Sequence, residues 1–311
     1  MPATPDFIIG GAPKCGTTSL HLLLDAHPDV WVARNEVYFH DADDPIAHGD
    51  FLRLDGRDLS WRDPSDPAFA AWYAERFRGA PDDALIGEDT TTYLMSDVAP
   101  HRIAANGHVR VIFMLRDPVQ RAFSQYWHLL RSGRTHLPLE EALSAERSIL
   151  LGSTYAPHLS RFFDLLGPER VHVVLFEDFQ TRQQAVMDGV TGFLGLPPMD
   201  VGGMGTWHNR TLYPKRAETL QRLNRLGRPL ARYRYARHFG GAAPWIARAG
   251  HSAYRRWYRF VRRRILTEER PPAEMRAKTQ AFLRQHLSAR NAGLSALLSR
   301  DLSTVWPGFS Q

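Results

Sequence analysis

The fold of this chain is decided near its N-terminus, where residues 7–20 read FIIGGAPKCGTTSL. The apolar run Phe7–Gly10 predicts a buried strand, and the stretch from Thr17 to Ala26 predicts a helix that ends before Pro28. The connection contains a glycine, four residues and a second glycine, a frame that is typical of a phosphate-binding loop. Backbone N–H groups at a helix N-terminus and the helix dipole together favour an anion there.

The lysine of this loop has an unusual position. Nucleotide triphosphatases carry it directly after the second glycine, where this chain has Thr17, whereas Lys14 lies inside the loop. A turn that merely caps a helix is the alternative, but the strand, the lysine and the threonine pair together favour phosphate binding. The only cysteine of the chain, Cys15, also lies here. We interpret it as a loop residue rather than a nucleophile.

Strand and helix patterns alternate along the following sequence. Further buried strands are predicted at Val109–Leu115 and Val171–Phe176, and the helices that follow them at Val119–Leu130 and at about 182–194. Additional helices are predicted at 67–77, 139–150 and 155–166. This alternation predicts an α/β fold, with a P-loop-type parallel sheet flanked by helices and a helical C-terminal portion.

Charge is unevenly distributed over the 311 residues, whose formal net charge is +6. Residues 215–266 hold fifteen Lys and Arg and a single acid, Glu218, so this segment carries +14 and the rest of the chain −8. We expect one domain over 1–311, with 215–266 as an Arg-rich helical insertion. The insertion is either a solvated layer or a surface for an acidic acceptor or an anionic membrane. No nucleic-acid reader motif is recognisable, so nucleic acid is not an expected partner.

Composition excludes several classes of protein. A single cysteine rules out an intrachain disulfide and a Cys-rich zinc site. No apolar run approaches the roughly 18–20 residues of a membrane span, and residues 1–6 show no secretory signal pattern. The expected location is therefore the cytoplasm.

The segment FIIGGAPKCGTTSL resembles the 5′-phosphosulfate loop of sulfotransferases that use 3′-phosphoadenosine 5′-phosphosulfate (PAPS). The resemblance implies that Lys14 contacts the 5′-phosphate and the bridging oxygen, and offsets charge on the leaving group. It implies that Gly16, Thr17 and Thr18 bind the phosphosulfate through backbone N–H and hydroxyl groups. Cys15 occupies the position where this family often has serine or another small residue.

A second phosphate site is indicated about a hundred residues later. The run VIFMLRDP, residues 111–118, places Arg116 at a strand end, and Ser124 lies on the helix that follows. A guanidinium fork and a hydroxyl suit a phosphate, and the arrangement resembles the family's 3′-phosphate motif. Arg121 lies between them, and we interpret it as part of a solvated helix face.

The candidate general base is Glu36. Residues 34–41 read RNEVYFHD and resemble the Glu-Val-His-Phe-Phe-Asp stretch of heparan-sulfate-type sulfotransferases, in which the matching glutamate is the proposed base. This chain departs from that stretch at Tyr38 and His40. Cytosolic phenol and steroid sulfotransferases use a histidine between the two nucleotide motifs instead. His101 and His108 lie in that interval, and we interpret both as surface residues.

Two further segments resemble the surroundings of the family's cleft. IGEDTTTYL, residues 86–94, carries Asp89 where the family has a lysine for an acidic sugar, and Glu88 and Thr91 are candidate acceptor-binding residues. GSTY, residues 152–155, places Tyr155 near the cosubstrate. The resemblance covers about 6–210 and 270–307. The family's adenosine loop is not recognisable, and the candidates for its place are Asn209, Arg210, Lys215 and Arg216.

Together these motifs predict a PAPS-dependent sulfotransferase that acts on a hydroxyl group, with a carbohydrate or another small-molecule alcohol as acceptor. Lys14 supports the leaving group, Glu36 takes the proton, and Arg116 with Ser124 holds the 3′-phosphate. No metal is expected, because the acidic ligand set of a magnesium-dependent kinase is not evident. The alternatives are a P-loop phosphotransferase, and a non-catalytic protein that binds anionic surfaces and retains a degenerate nucleotide site.

Overall fold

A computed structural model describes residues 4–48, 51–55, 58–202, 212–239, 245–272 and 274–309. The chain divides into two compact units. The first contains Met1–Arg121, Leu151–Asn209 and Leu283–Gln311, and the second contains Ala122–Leu150 and Arg210–Phe282. The prediction of one domain over 1–311 stays a prediction.

Strands and helices alternate through most of the described chain. The strands are β1 (Phe7–Gly11), β2 (Val30–Val32), β3 (Arg53–Asp55), β4 (Asp58–Ser60), β5 (Leu85–Asp89), β6 (Arg110–Leu115), β7 (Val171–Leu175), β8 (Tyr213–Pro214) and β9 (Leu266–Glu268). The helices are α1 (Thr17–Asp25), α2 (Pro67–Glu75), α3 (Ala99–Ala104), α4 (Pro118–Arg131), α5 (Leu139–Ala145), α6 (Ser148–Leu151), α7 (Tyr155–Leu166), α8 (Phe176–Thr181), α9 (Gln183–Leu194), α10 (Ala217–Ala231), α11 (Trp245–Arg264), α12 (Ala277–Arg290) and α13 (Leu294–Leu297).

The first unit is built around a five-stranded parallel sheet in the order β2-β5-β1-β6-β7. β1 is the central strand, and all five of its residues are buried. A parallel strand covered on both faces needs apolar side chains on both, which explains the unbroken run at its start. Ile9 of β1 lies opposite Asp89 of β5 and Ile112 of β6. The carboxyl ends of β1, β5 and β6 therefore lie side by side.

The sheet confirms the predicted fold class and adds two strands that the sequence patterns did not predict. β1, β6 and β7 match the predicted strands to within about one residue at each end. β2 and β5 were not predicted, although β5 pairs directly with β1. The helix predicted over 139–150 is divided into α5 and α6.

The second unit contains α10 and α11, both within the predicted basic segment 215–266. Asn224 of α10 is fully buried and donates to the carbonyl oxygens of Leu130 and Thr135, at 2.6 and 2.8 Å. Trp257 of α11 packs closely against Gly227 of α10. These contacts fix which faces of the two helices are buried. Among the described residues, no helix combines the length and the apolar character needed to cross a membrane.

Candidate active site

The predicted phosphate-binding loop leaves the carboxyl end of the central strand. The N–H of Ala12 donates to the carbonyl oxygen of Met114 at 2.8 Å, which fastens the loop to β6. Gly16 forms the N-cap of α1 with a φ of 91°, in the left-handed region that favours glycine. Glycine has no side chain that could cap the helix. The first N–H groups of α1 therefore stay directed into the loop, where an anion can accept hydrogen bonds from them.

The loop side chains differ in exposure. Lys14 is half-buried and has a φ of 73°, Thr17 is buried and Thr18 is exposed. Cys15 is fully buried, with its sulfur 4.0 Å from the Tyr155 hydroxyl. Burial raises the pKa of the Cys15 thiol to about 11, so the thiol is neutral at ordinary pH. This environment fits the passive role that we predicted for it.

Arg121 corrects one sequence-based interpretation. It was assigned to a solvated helix face, but it is fully buried. Its Nε donates to the carbonyl oxygen of Pro13 at 3.0 Å, and its Nη1 donates to the Ser153 hydroxyl at 3.1 Å. The guanidinium therefore braces the phosphate loop from the first turn of α4. The helical pattern could not show this, because both acceptors come from distant segments.

Arg116 lies at the end of β6, close to the phosphate loop. Its guanidinium carbon is 4.9 Å from the centre of the Phe176 ring. The same ring lies so close to Gly16 that a Cβ there would be 2.7 Å from it. Phe176 therefore brings the two predicted nucleotide-binding segments together. Ser124 is half-buried on α4, in the portion assigned to the second unit, and its role stays a prediction.

Tyr155 is fully buried at the N-terminus of α7. Its hydroxyl donates to the carbonyl oxygen of Arg116 at 2.9 Å. Its backbone N–H and that of Ala156 donate to Oδ1 of the buried Asn291, at 2.5 and 3.1 Å. Tyr155 thus supports the end of β6 from inside. Its predicted contact with the cosubstrate stays a prediction.

Glu36 is half-buried and held by three donors. One carboxylate oxygen accepts hydrogen bonds from the N–H of Thr91, at 3.1 Å, and from the Thr91 hydroxyl. The other oxygen accepts a hydrogen bond from the Tyr38 hydroxyl. Donors of this kind stabilise an ionised carboxylate and fix its direction. Tyr38, the residue that departs from the family's stretch, therefore takes part in positioning Glu36.

Thr91 also lies against the start of the phosphate loop. Gly11 has a φ of 137°, and a Cβ placed on it would be 2.5 Å from the Thr91 carbonyl oxygen. Only glycine allows this approach. Thr91 therefore connects Glu36 to the loop that carries Lys14, and these sequence-predicted residues share one end of the sheet.

Glu88 is fully buried, with both carboxyl oxygens occupied. It accepts hydrogen bonds from the hydroxyls of Tyr73, Tyr93 and Thr90 at 2.5, 2.6 and 2.7 Å. The Tyr93 oxygen in turn accepts from the N–H of Phe39, at 3.0 Å. Burial raises the pKa of Glu88 to about 7. This places Glu88 behind the segment that carries Glu36, where it supports that segment.

Asp89 and His21 form a pair that no sequence motif indicates. Nδ1 of His21 and Oδ2 of Asp89 are 3.2 Å apart. The pKa of Asp89 is raised mainly by burial, and the nearby charge of Glu36 adds to the shift. No hydrogen-bond partner for Oδ1 of Asp89 is present among the described residues. An acid thus stands close to Glu36 at the position where the resembled family carries a lysine.

The remaining candidates are distributed as follows. His101 and His108 are exposed, which confirms their interpretation as surface residues. Asn209 and Arg210 lie outside the described residues, and Lys215 and Arg216 are exposed in the second unit. Within the described ranges, no group of three or more His, Cys, Asp or Glu side chains is placed to hold a metal ion.

Several known proteins are similar to this chain in sequence. A profile of the sulfotransferase family matches residues 5–200. Heparan sulfate glucosamine 3-O-sulfotransferase 5 of Mus musculus is 25% identical over 207 residues, which cover 62% of this chain and 54% of that protein. The human bifunctional heparan sulfate N-deacetylase/N-sulfotransferase 2 is 27% identical over 221 residues, which cover 62% of this chain and 22% of that protein. The chain thus matches about half of the first relative and less than a quarter of the second.

A solved structure resembles nearly the whole chain. The sulfotransferase from Alicyclobacillus acidocaldarius aligns with a TM-score of 0.63 at 23% identity, and the alignment covers 97% of this chain and 98% of that one. At this level of identity the likeness concerns the fold.

Proposed function

The chain belongs to the sulfotransferase family, and we propose that it transfers the sulfuryl group of PAPS to a hydroxyl group of an acceptor. The observation that carries the proposal is the position of Thr91. Its amide and hydroxyl hold the carboxylate of Glu36, and its carbonyl lies against Gly11 at the start of the phosphate loop. A candidate base and a candidate phosphosulfate site therefore meet at one end of the sheet.

The reaction is a displacement at sulfur. The acceptor oxygen forms a bond to sulfur as the bond between sulfur and the bridging oxygen breaks. The electron pair of the breaking bond stays on the bridging oxygen, which leaves as part of 3′-phosphoadenosine 5′-phosphate (PAP). Negative charge develops on the bridging oxygen. Lys14 and the first N–H groups of α1, at Thr17 and Thr18, are the groups that would stabilise this charge. Cys15 contributes backbone to the loop, since its thiol is buried.

Glu36 is proposed to accept the proton of the acceptor hydroxyl. A carboxylate oxygen has two lone pairs. We assign the acceptor hydroxyl to the oxygen that accepts from Tyr38, since the other oxygen already accepts two hydrogen bonds from Thr91. Positioned general bases contribute typically about 10²–10⁴-fold to rate. Thr91 and Tyr38 supply the positioning.

The cosubstrate's 3′-phosphate is assigned to Arg116. Its guanidinium packs over Phe176, which also contacts Gly16, so the fork is held at a fixed place relative to the loop. The phosphate on the 3′ position of the ribose separates PAPS from most adenosine nucleotides, and an Arg fork matches the geometry of a phosphate.

The acceptor is proposed to be a carbohydrate or another small-molecule alcohol without an acidic group beside the reacting hydroxyl. The relatives named above are enzymes of heparan sulfate, which supports a carbohydrate. However, Asp89 replaces the lysine of the resembled motif and lies near Glu36. An acidic sugar held at this point would lose the cationic partner that the lysine supplies and would lie close to the carboxylate of Glu36.

Ligand-induced stabilisation tests the proposal. PAP should raise the Tm of the purified chain, whereas ATP with magnesium should raise it far less, because only PAP carries the 3′-phosphate. A radiolabelled sulfate-transfer screen from PAPS to neutral sugars, uronic-acid sugars, phenols and alkyl alcohols then identifies the acceptor class. A larger shift with ATP and magnesium would favour the P-loop phosphotransferase. Stabilisation by PAP without transfer to any class would favour the non-catalytic alternative.

A further inference from the structure

Helix α11 is the most strongly charged element among the described residues. Over twenty residues it holds seven arginines and no acidic residue: Arg248, Arg255, Arg256, Arg259, Arg262, Arg263 and Arg264. A solvated helix of this length usually mixes both signs of charge, because i,i+4 pairs then support it. The absence of any acid from α11 gives it a field that attracts anions.

The inner face of α11 is fixed by packing within the second unit. Tyr254 and Val261 are buried, and they are seven residues, about two turns, apart. The Tyr254 hydroxyl donates to the carbonyl oxygen of Ser132 at 3.1 Å, and Trp257 packs against Gly227. These contacts determine the rotation of the helix, and therefore which side chains point outward.

The outer face carries large apolar side chains. Trp245 is 73% exposed and Phe260 is 51% exposed. At 100° per residue, their fifteen-residue separation places them within about 60° of each other around the helix. Arg256 and Arg263 fall in the same arc, and Ile246, which lies about 40° beyond it, is 57% exposed. Aromatic and basic side chains on one exposed face are typical of helices that lie in a membrane interface.

We propose that the outer face of α11 binds the surface of an anionic lipid bilayer. Trp245, Ile246 and Phe260 would enter the boundary between headgroups and acyl chains, and the arginines would reach the lipid phosphates. Each basic residue near an anionic surface adds attraction that salt screens. Long arginine stems can lie along apolar surface while their charged ends stay in water.

Charge and apolarity together favour a bilayer over other partners. A second copy of the chain would bring seven further arginines against these, so self-association through this face is opposed. A soluble polyanion would satisfy the arginines but would leave Ile246 and Phe260 without an apolar environment. An anionic bilayer matches both sets of side chains.

The inference is independent of the proposed function, since it concerns binding alone. The purified full chain is sedimented with vesicles of phosphatidylcholine, and with vesicles that contain about 30% phosphatidylserine. We expect partitioning to the anionic vesicles to be at least about tenfold stronger, and to fall when ionic strength rises from about 0.1 to 1 M.

Two double variants test the two components of the face. Arg256→Glu with Arg263→Glu removes the attraction, and Trp245→Ser with Phe260→Ser removes the apolar contact. Each should lower partitioning at least about tenfold. Arg147→Glu and Trp61→Ser are the matched controls, because both residues are exposed and lie outside α11. Both controls should partition like the parent chain.

Several outcomes would overturn the proposal. One is equal partitioning of all variants, and another is equal binding to neutral and anionic vesicles. Binding to a sulfated polysaccharide or to DNA without binding to vesicles would assign the face to a soluble polyanion. A dimer in sedimentation velocity that the α11 variants dissociate, without vesicle binding, would assign it to a second copy. Circular dichroism of each variant establishes that it remains folded.

Discussion

Thr91 donates two hydrogen bonds to a single oxygen of Glu36, one from its backbone N–H at 3.1 Å and one from its hydroxyl. The two residues are 55 positions apart in sequence. The hydrogen bond from the N–H depends only on the path of the backbone after β5. The hydrogen bond from the hydroxyl depends on the side chain. Substitution can therefore separate these two contributions to the positioning of Glu36.

Thr91→Val should slow sulfate transfer without preventing cosubstrate binding. Valine keeps the shape of threonine but removes the hydroxyl that fixes Glu36, and a hydrogen bond to a charged group is worth about 1.5–3 kcal/mol. We expect kcat to fall at least about tenfold, with the KM for PAPS nearly unchanged. Thr91→Ser restores the hydroxyl and should restore most of the rate. An equal loss in the serine variant would show that the hydroxyl is not the operative group.

Glu36→Gln should abolish turnover and leave nucleotide binding almost intact. The amide keeps the size of the side chain but cannot take up a proton, so a loss of about 10²–10⁴-fold in kcat is expected. The rise in Tm caused by PAP should match that of the parent chain. Glu141→Gln, at an exposed position on α5, is the control. Parental turnover in Glu36→Gln would remove this residue from the mechanism.

Arg116→Ala should reduce discrimination between PAP and adenosine 5′-monophosphate. Charge-assisted hydrogen bonds to the 3′-phosphate should account for about tenfold to hundredfold of the PAP affinity. The monophosphate lacks that phosphate, so its weaker binding should change little. Isothermal titration with both ligands measures the ratio. A parallel loss of both affinities would indicate that Arg116 supports the loop through Phe176 instead of binding the phosphate.

Cys15→Ser should retain activity, and the native thiol should resist alkylation. Burial holds the thiol pKa at about 11, so only a minor fraction is thiolate at pH 8. We expect kcat within about threefold of the parent chain. Iodoacetamide, followed by mass spectrometry, should modify Cys15 only after the protein is unfolded. Rapid labelling of the folded chain, or loss of turnover in the serine variant, would contradict a passive role.

Glu88→Gln should flatten the pH dependence of stability between about pH 4.5 and 7. Burial raises the Glu88 pKa from 4.5 to about 7, so the folded chain binds this proton more tightly than the unfolded chain does. The resulting stability is fully present below the unfolded pKa and is lost as pH rises through the folded pKa. A shift of this size corresponds to roughly 3 kcal/mol.

Chemical denaturation at several pH values measures this difference. The parent chain should lose more stability than Glu88→Gln as the pH is raised through the interval, and Glu141→Gln should behave like the parent. Identical slopes in the parent chain and in Glu88→Gln would show that the Glu88 carboxyl does not titrate in this range.

The strands that could be predicted from the sequence and those that could not differ in their sequence patterns. β1, β6 and β7 contain long apolar runs, and a run of this kind indicates a buried strand directly. β2 has only three residues, and β5 ends in Glu88 and Asp89, two acids that do not indicate a buried strand. The two acids can be buried because distant segments supply partners for them, such as the Tyr73 hydroxyl for Glu88 and the His21 imidazole for Asp89. Only the folded chain brings these partners together.

The candidate site also combines residues that local motifs predict with supporting residues that they do not predict. Lys14, Glu36 and Arg116 stand in motifs whose spacing is local, and the structure places them at one end of the sheet. Their supports could not be predicted. Arg121 finds its acceptors on Pro13 and Ser153, far away in sequence, and was therefore misassigned to the surface.

The three hydroxyls around Glu88 also limit how acceptor choice can change during evolution. Tyr93 binds Glu88 and the backbone of Phe39 at once, so a substitution there would loosen the support behind Glu36. Arg34 lies two residues before Glu36 and is exposed, whereas Asn35 has a φ of 68°, in the left-handed region that most side chains avoid. A laboratory library for altered specificity should therefore vary Arg34 and keep Asn35.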